Sequence, residues 1–353
     1  MKKLPMLALA VAMLVSSSYG LEAKDGRMRL VVDERSGRFS LHYLSDVATN
    51  RYVPLLYAQE IRTTYPTLMV DQKTYRLGDT SEFRVTVGKY EAGAVKVEYR
   101  SAFCAVRQTF TFVASKGAAM ADSVRIGFEI ENLSQNDSKI GLRFLLDTWL
   151  GEKSLAHFGS ASSGALTGET ELGSDYSDSW IRSAENLGTA ISTEAQVENP
   201  AMLQITLTVP ATRPDKVIAA NWKRLNDQDW AITVNRSRNF TLLPYSINDS
   251  AIALFFEPTE VRPGSTRSID ILLGQANSGY AVAKESGTGI VSQYAAIAPA
   301  EAAPLSEMAD LIAVRAILDA LNDALATGTP LSADDQAALN ATLERLETRK
   351  GKY

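Results

Sequence analysis

Between positions 27 and 274 apolar and polar residues alternate in short runs separated by turn formers. Segments 28–32 and 39–44 flank Asp33-Glu34-Arg35-Ser36-Gly37-Arg38, which predicts a β-hairpin. The same period of two continues through 82–87, 95–99 and 107–113. It is plainest at 123–131, where Val124, Ile126, Phe128 and Ile130 share one face and Ser123, Arg125, Gly127, Glu129 and Glu131 the other. That is the signature of a half-buried antiparallel strand. A turn at Ser134-Gln135-Asn136-Asp137-Ser138 leads into a strand at 139–147. Further strands are expected at 189–192, 202–209, 216–219, 251–257 and 267–273. No amphipathic helix separates them, so the expected fold is mainly β: a large antiparallel β-sandwich over 21–275. The span exceeds what a seven-stranded sandwich needs, which implies many strands or two fused sandwiches.

Two regions break the alternation. Residues 151–188 contain Gly159-Ser160-Ala161-Ser162-Ser163-Gly164 and Gly173-Ser174-Asp175-Tyr176-Ser177-Asp178. They read as a long surface loop, either a carrier of ligand contacts or a plain connection. Residues 276–305 are rich in Ala, Gly, Ser and Pro and read as a linker. Over 306–348 the pattern becomes helical. Met308, Leu311, Ile312, Ile317, Leu318, Leu321 and Leu325 recur at three- and four-residue steps, before Gly328 and Pro330. Ser332 and Asp335 resemble a capping box, followed by a stripe of Leu339, Leu343 and Leu346. Such a helical hairpin needs something to cover its stripes: the sandwich, a protein partner or another copy.

The N-terminus follows a different rule. Lys2 and Lys3 precede an apolar run over 4–15, and Ser18 and Gly20 provide small residues for cleavage. Residues 1–20 therefore read as a signal peptide, placing the protein in the periplasm, on the cell surface or outside the cell. The run is too short to span a bilayer comfortably. Its removal takes away two lysines and no acid, moving the net charge from -5 to -7. An acidic chain is a poor fit to nucleic acid, whose phosphates demand a basic surface. The one cysteine, Cys104, has no intrachain partner and lies among apolar residues, as a small buried hydrophobe would.

Candidate chemistry is sparse. Two histidines and one cysteine without ligand spacing exclude a His/Cys zinc site. Neither a Gly-x-Ser-x-Gly elbow nor a Walker loop is present, so no cofactor and no catalytic set are expected. His42 reads as a structural or surface histidine within a strand. The densest polar cluster is Asp147-Thr148-Trp149-Leu150-Gly151-Glu152, followed by His157. These residues could hold a sugar, its ring on Trp149 and its hydroxyls on the carboxylates, or act as acid and base. A structural turn, with Asp147 capping amides and Trp149 in the core, is the reading favoured over these. Glu171, Asp175 and Asp178 are oxygen donors that match no calcium loop. Trp180, Trp222 and Trp230 could form a stacking platform or be scattered core and rim residues.

Three stretches carry a family resemblance. One is 124–152, with Glu131-Asn132-Leu133-Ser134 and Ile140-Gly141-Leu142-Arg143-Phe144-Leu145-Leu146-Asp147-Thr148-Trp149-Leu150-Gly151. Another runs from Asp249-Ser250-Ala251-Ile252-Ala253-Leu254-Phe255-Phe256-Glu257-Pro258 through Val261-Arg262-Pro263-Gly264-Ser265 to Leu272-Leu273-Gly274, and the third is 214–222. They resemble a pattern in exported bacterial β-sandwich proteins, and their order is similar to the galactose mutarotase-like supersandwich. The resemblance implies a supersandwich-like fold. In that family a histidine and a late glutamate do acid–base work. Glu257 falls near the place of the glutamate, while the segment around Asp147 has no histidine and only His157 is nearby. Epimerase activity is accordingly not expected.

Two functions fit these observations. In the first, an exported, non-enzymatic sandwich binds an envelope protein partner or a second copy through Leu311, Leu318, Leu321, Leu325, Leu339, Leu343 and Leu346. In the second, the protein binds or acts on a glycan through Asp147, Trp149, Glu152, His157 and Glu257.

Overall fold

A computed structural model describes residues 20–275 apart from 48, 90–93, 116–117, 119, 154–156 and 186–200, together with helical Asn340, Glu344 and Glu347. The N-terminal leader, the strand expected at 189–192, the linker at 276–305 and the leucines of the helical hairpin lie outside the described residues.

The alternating segments become strands, and these pair antiparallel into three sheets. Strands β1 (Gly20–Asp25), β2 (Met28–Asp33), β3 (Phe39–Asp46) and β4 (Arg51–Pro54) form a meander in chain order. A six-stranded sheet is made by β5 (Tyr65–Val70), β6 (Lys73–Arg76), β11 (Ser138–Asp147), β14 (Thr170–Leu172), β17 (Lys216–Asn221) and β18 (Ser250–Val261). Its spatial order is β14-β17-β18-β11-β5-β6. A nine-stranded sheet contains β7 (Arg84–Lys89), β8 (Val95–Arg100), β9 (Cys104–Val113), β10 (Ser123–Asn132), β12 (Phe158–Ser160), β13 (Gly164–Leu166), β15 (Trp180–Ala184), β16 (Met202–Thr206) and β19 (Thr266–Gly274). There the order is β13-β12-β15-β16-β19-β10-β9-β8-β7.

One apolar core joins the sheets. Val124, Ile126, Phe128 and Ile130 of β10 are buried, as their alternation predicts. Opposite them stand Leu142, Phe144 and Leu146 of β11 with Ile252, Leu254 and Phe256 of β18. Phe39 of the meander meets Phe110 at 4.8 Å and Phe144 at 6.1 Å, and Phe144 meets Phe128 at 5.5 Å. These aromatic contacts therefore tie all three sheets together. Cys104 is fully buried, and burial pushes its thiol up to about 12. An aromatic disulfide reagent at pH 8 should leave the folded protein unmodified and label one thiol per chain in guanidinium. Rapid labelling without denaturant would contradict the packing of β9.

Strand β11 does not alternate, because both faces of its sheet are covered. Behind it Leu145, Phe255, Ala253 and Ile218 form a second apolar cluster with Leu225 of the short helix α1 (Trp222–Asn226), and Trp222, Trp230, Ile232 and Val234 pack against it. A strand buried on two sides reads as a continuous apolar run.

Residues 151–188 differ from the loop expected. Strands β12, β13 and β15 extend the nine-stranded sheet and β14 borders the six-stranded one. Single buried anchors hold them: Phe158, Leu166, Leu172, Tyr176 and Ile181. Segments of three residues are too short to display a period of two, so only these anchors mark them.

Candidate functional site

The segment after β11 turns at one end of the sandwich. Asp147 closes the strand opposite Ala251 of β18. Thr148 then donates from its backbone and its hydroxyl to the Ser250 carbonyl, at 3.2 and 2.9 Å. A 3-10 turn over Leu150–Lys153 carries Glu152 back toward the same strand end. There the Glu152 Oε1 accepts the Ser250 N–H at 3.0 Å. Asp249 immediately precedes that amide. The outcome is a cluster in which Asp147, Glu152 and Asp249 each place a carboxylate oxygen within 4.8 Å of the others.

The turn depends on close backbone approach. A Cβ on Gly151 would sit 2.3 Å from the His157 carbonyl oxygen and 2.5 Å from its Cα. Gly151→Ala should therefore cost about 1–3 kcal/mol and weaken the hold of Glu152 on Ser250. Denaturant unfolding checks this; an unchanged midpoint would mean that the turn shifts freely.

Burial sets the charge state. Asp147 is 4% exposed, and desolvation is the main cause that pushes its carboxyl up to about 8. A hydrogen bond from Thr63 opposes this, while Asp249 and Glu60 add to it. Glu152 is likewise raised to about 8, first by burial and then by Asp147 and Asp249, against the Ser250 amide. The Asp249 carboxyl is raised by burial and held by Ser246. The Asp147 and Glu152 carboxyls in this state retain protons near neutrality, so they both donate to and accept from a hydroxyl-rich ligand. Once deprotonated, the same three carboxylates could hold a hard cation such as Ca²⁺, which needs further oxygens from water or ligand.

Aromatic residues flank the cluster. Tyr57 donates its backbone N–H to the Asp147 carbonyl at 3.0 Å, and its ring lies 5.6 Å from Trp149. Burial raises its hydroxyl first, followed by the charges of Asp147, Glu152, Asp249 and Glu60. Trp149 packs partly buried against the core. Trp222 donates Nε1 to the Thr63 carbonyl at 3.0 Å, bracing the segment that bonds Asp147.

The sequence candidates thus divide. Asp147, Trp149 and Glu152 come together. His157 is nearby in the chain, but its ring packs 4.5 Å from Phe240, and burial pushes it down to about 4. No carboxylate hydrogen-bonds its Nδ1, which lacks a partner among the described residues. Glu257 does not join the cluster. It lies on β18 about 20 Å along the strand from Ala251. There it accepts from Trp230 Nε1 at 3.4 Å and faces Lys216 at 3.6 Å. Asp249 and Tyr57 are site residues that the sequence pattern does not single out. The available signal for Asp249 is its place at the start of a strand that pairs with the one ending in Asp147.

The other oxygen donors do not converge. Asp178 is buried and accepts the Ser162 N–H and hydroxyl, both at 2.6 Å. Glu171 and Asp175 line an open cleft of about 600 Å³ with Arg236.

No protein-family model matches the chain, and no curated protein matches it. Its structural neighbours include galactose mutarotase-like proteins. A GalM/aldose epimerase homologue from C. elegans is 10% identical, with 73% of this chain and 99% of that chain covered at a TM-score of 0.45. A putative aldose 1-epimerase from Escherichia coli K12 is 9% identical, covering 72% and 98% at 0.43. A galactose mutarotase-like protein from Lactobacillus casei ATCC 334 is 9% identical, covering 73% and 100% at 0.44. These likenesses concern the fold and carry no reaction with them.

Proposed function

We propose that this is an exported carbohydrate-binding protein whose sugar site is the carboxylate cluster of Asp147, Glu152 and Asp249 beside Tyr57 and Trp149. The observation that carries this reading is the convergence of three carboxyls, raised by burial, at one sandwich end next to aromatic rings. Sugar hydroxyls need paired donors and acceptors, and a pyranose also offers an apolar face to an aromatic ring. Binding rather than epimerisation is favoured by His157, whose ring rests on Phe240 and whose Nδ1 has no hydrogen-bond partner among the described residues. Export rests on the charged, apolar and small-residue order of positions 1–20.

Calorimetric titration with glucose, galactose and mannose tests the reading. At least one hexose should bind the wild-type protein, and Glu152→Gln with Asp249→Asn should weaken it at least tenfold while the β circular dichroism is kept. Binding of none of the three, or full retention by the double variant, would overturn the assignment.

A further inference from the structure

A second feature adjoins the carboxylates. The loop between Thr241 and Asn248 exposes three large apolar side chains: Leu243 at 70%, Tyr245 at 68% and Ile247 at 70%. Single exposed apolar residues are ordinary, but three within five positions concentrate apolar surface on one loop. The loop is also internally fixed. Leu242 and Ser246 exchange backbone hydrogen bonds at 2.9 Å in both directions, and Asn248 donates its N–H to the Thr241 hydroxyl at 3.1 Å. A ligand meeting this loop therefore loses little free energy in ordering it.

The loop is tied directly to the carboxylate cluster. Buried Asn221 donates Nδ2 to the Ser246 hydroxyl at 2.9 Å and to the Asp249 carbonyl at 3.0 Å. Ser246 in turn hydrogen-bonds the Asp249 carboxyl. Tyr245 thus stands one residue from a direct partner of the cluster, with Lys223 Nζ 5.1 Å from its ring centre.

Resting on the carbohydrate reading, we infer that the ligand is an oligosaccharide, with one ring at the carboxylates and the next stacked on Tyr245 between Leu243 and Ile247. A chain of pyranose rings matches the juxtaposition, because each ring carries hydroxyls on its edge and C–H groups on its face. A single hexose at the carboxylates leaves the loop uncovered.

Titration of the full protein with glucose, galactose and mannose, and with cellotetraose, galactotetraose and mannotetraose, separates the possibilities. One tetrasaccharide should bind about tenfold more tightly than its own monomer. Tyr245→Ala should remove most of that advantage and leave the monosaccharide affinity within about twofold. Leu243→Ser with Ile247→Ser should lower tetrasaccharide binding in the same direction. Equal affinity for tetrasaccharide and monomer, or a tetrasaccharide advantage that survives Tyr245→Ala, would overturn the inference while leaving the monosaccharide site standing. Failure of every sugar to bind the wild-type protein would remove the carbohydrate reading itself.

Discussion

Replacing Arg143 with methionine should cost about 3 kcal/mol of stability. Arg143 is 1% exposed, on the face of the six-stranded sheet that α1 covers. Its guanidinium donates to the carbonyls of Leu225, Gln228 and Asp229 at 2.6, 2.8 and 3.2 Å. These carbonyls lie in the last turn of α1 and just beyond it, where a cation suits the helix dipole. Burial pushes the guanidinium down to about 10, so it stays charged at neutral pH. Methionine fills the space but takes the guanidinium donors from the Gln228 and Asp229 carbonyls and leaves Leu225 with only backbone N–H donors such as Gln228, at 3.4 Å. Lysine should rescue less than half of the loss, since a compact ammonium cannot reproduce the fork. Urea unfolding with an unchanged slope measures both effects, and a loss under about 1 kcal/mol for methionine would refute the clamp. The consequence extends to the site, because α1 starts from Asn221, which holds Ser246 and Asp249.

The protein should lose stability as pH rises from about 4 to about 8, and Asp147→Asn with Glu152→Gln should abolish much of that slope. In the unfolded chain these carboxyls ionise near pH 4. In the folded protein both are raised to about 8. Between those values the folded state binds more protons than the unfolded one, so each step upward in pH favours unfolding. Below pH 4 both states are protonated and nothing is lost. At pH 8.5 the double variant should exceed the wild type by about 2–4 kcal/mol, less than the two shifts imply separately, because Glu152 is half-buried and the groups interact. At pH 4 the two proteins should match. Denaturant unfolding across this range is decisive, and identical pH profiles would show that the cluster carries no ionisation penalty. Sugar binding should fall in the same variant, so that stability and binding move in opposite directions.

Part of the site is legible in the sequence. Asp147, Trp149 and Glu152 are close in the chain and remain close in space, because one turn contains them. Asp249 is separated from Asp147 by about a hundred residues and reaches it only through the pairing of β11 with β18. Glu257 illustrates the converse. It belongs to the same strand as Ala251, yet the rise of an extended chain carries it about 20 Å away from the cluster. Tyr57 comes from the stretch after β4, where an isolated bridge between Leu56 and Thr148 brings it alongside.

The fold divides in the same way. Alternation at 28–44, 82–113 and 123–131 is a local property, and by itself it determines strands, hairpins and a mainly β architecture. Strand β5 leaves no such trace, because Pro66 interrupts its pattern and both its neighbours in the sheet, β11 and β6, satisfy it from outside the segment. Tertiary structure alone decides that β11 is covered on two faces, that residues 158–184 join the sheets through isolated anchors, and which carboxylates meet. The reason is physical: a periodicity records which side of a strand is wet, whereas convergence depends on the register between strands distant in the chain, and a displaced register would bring different side chains to the same edge.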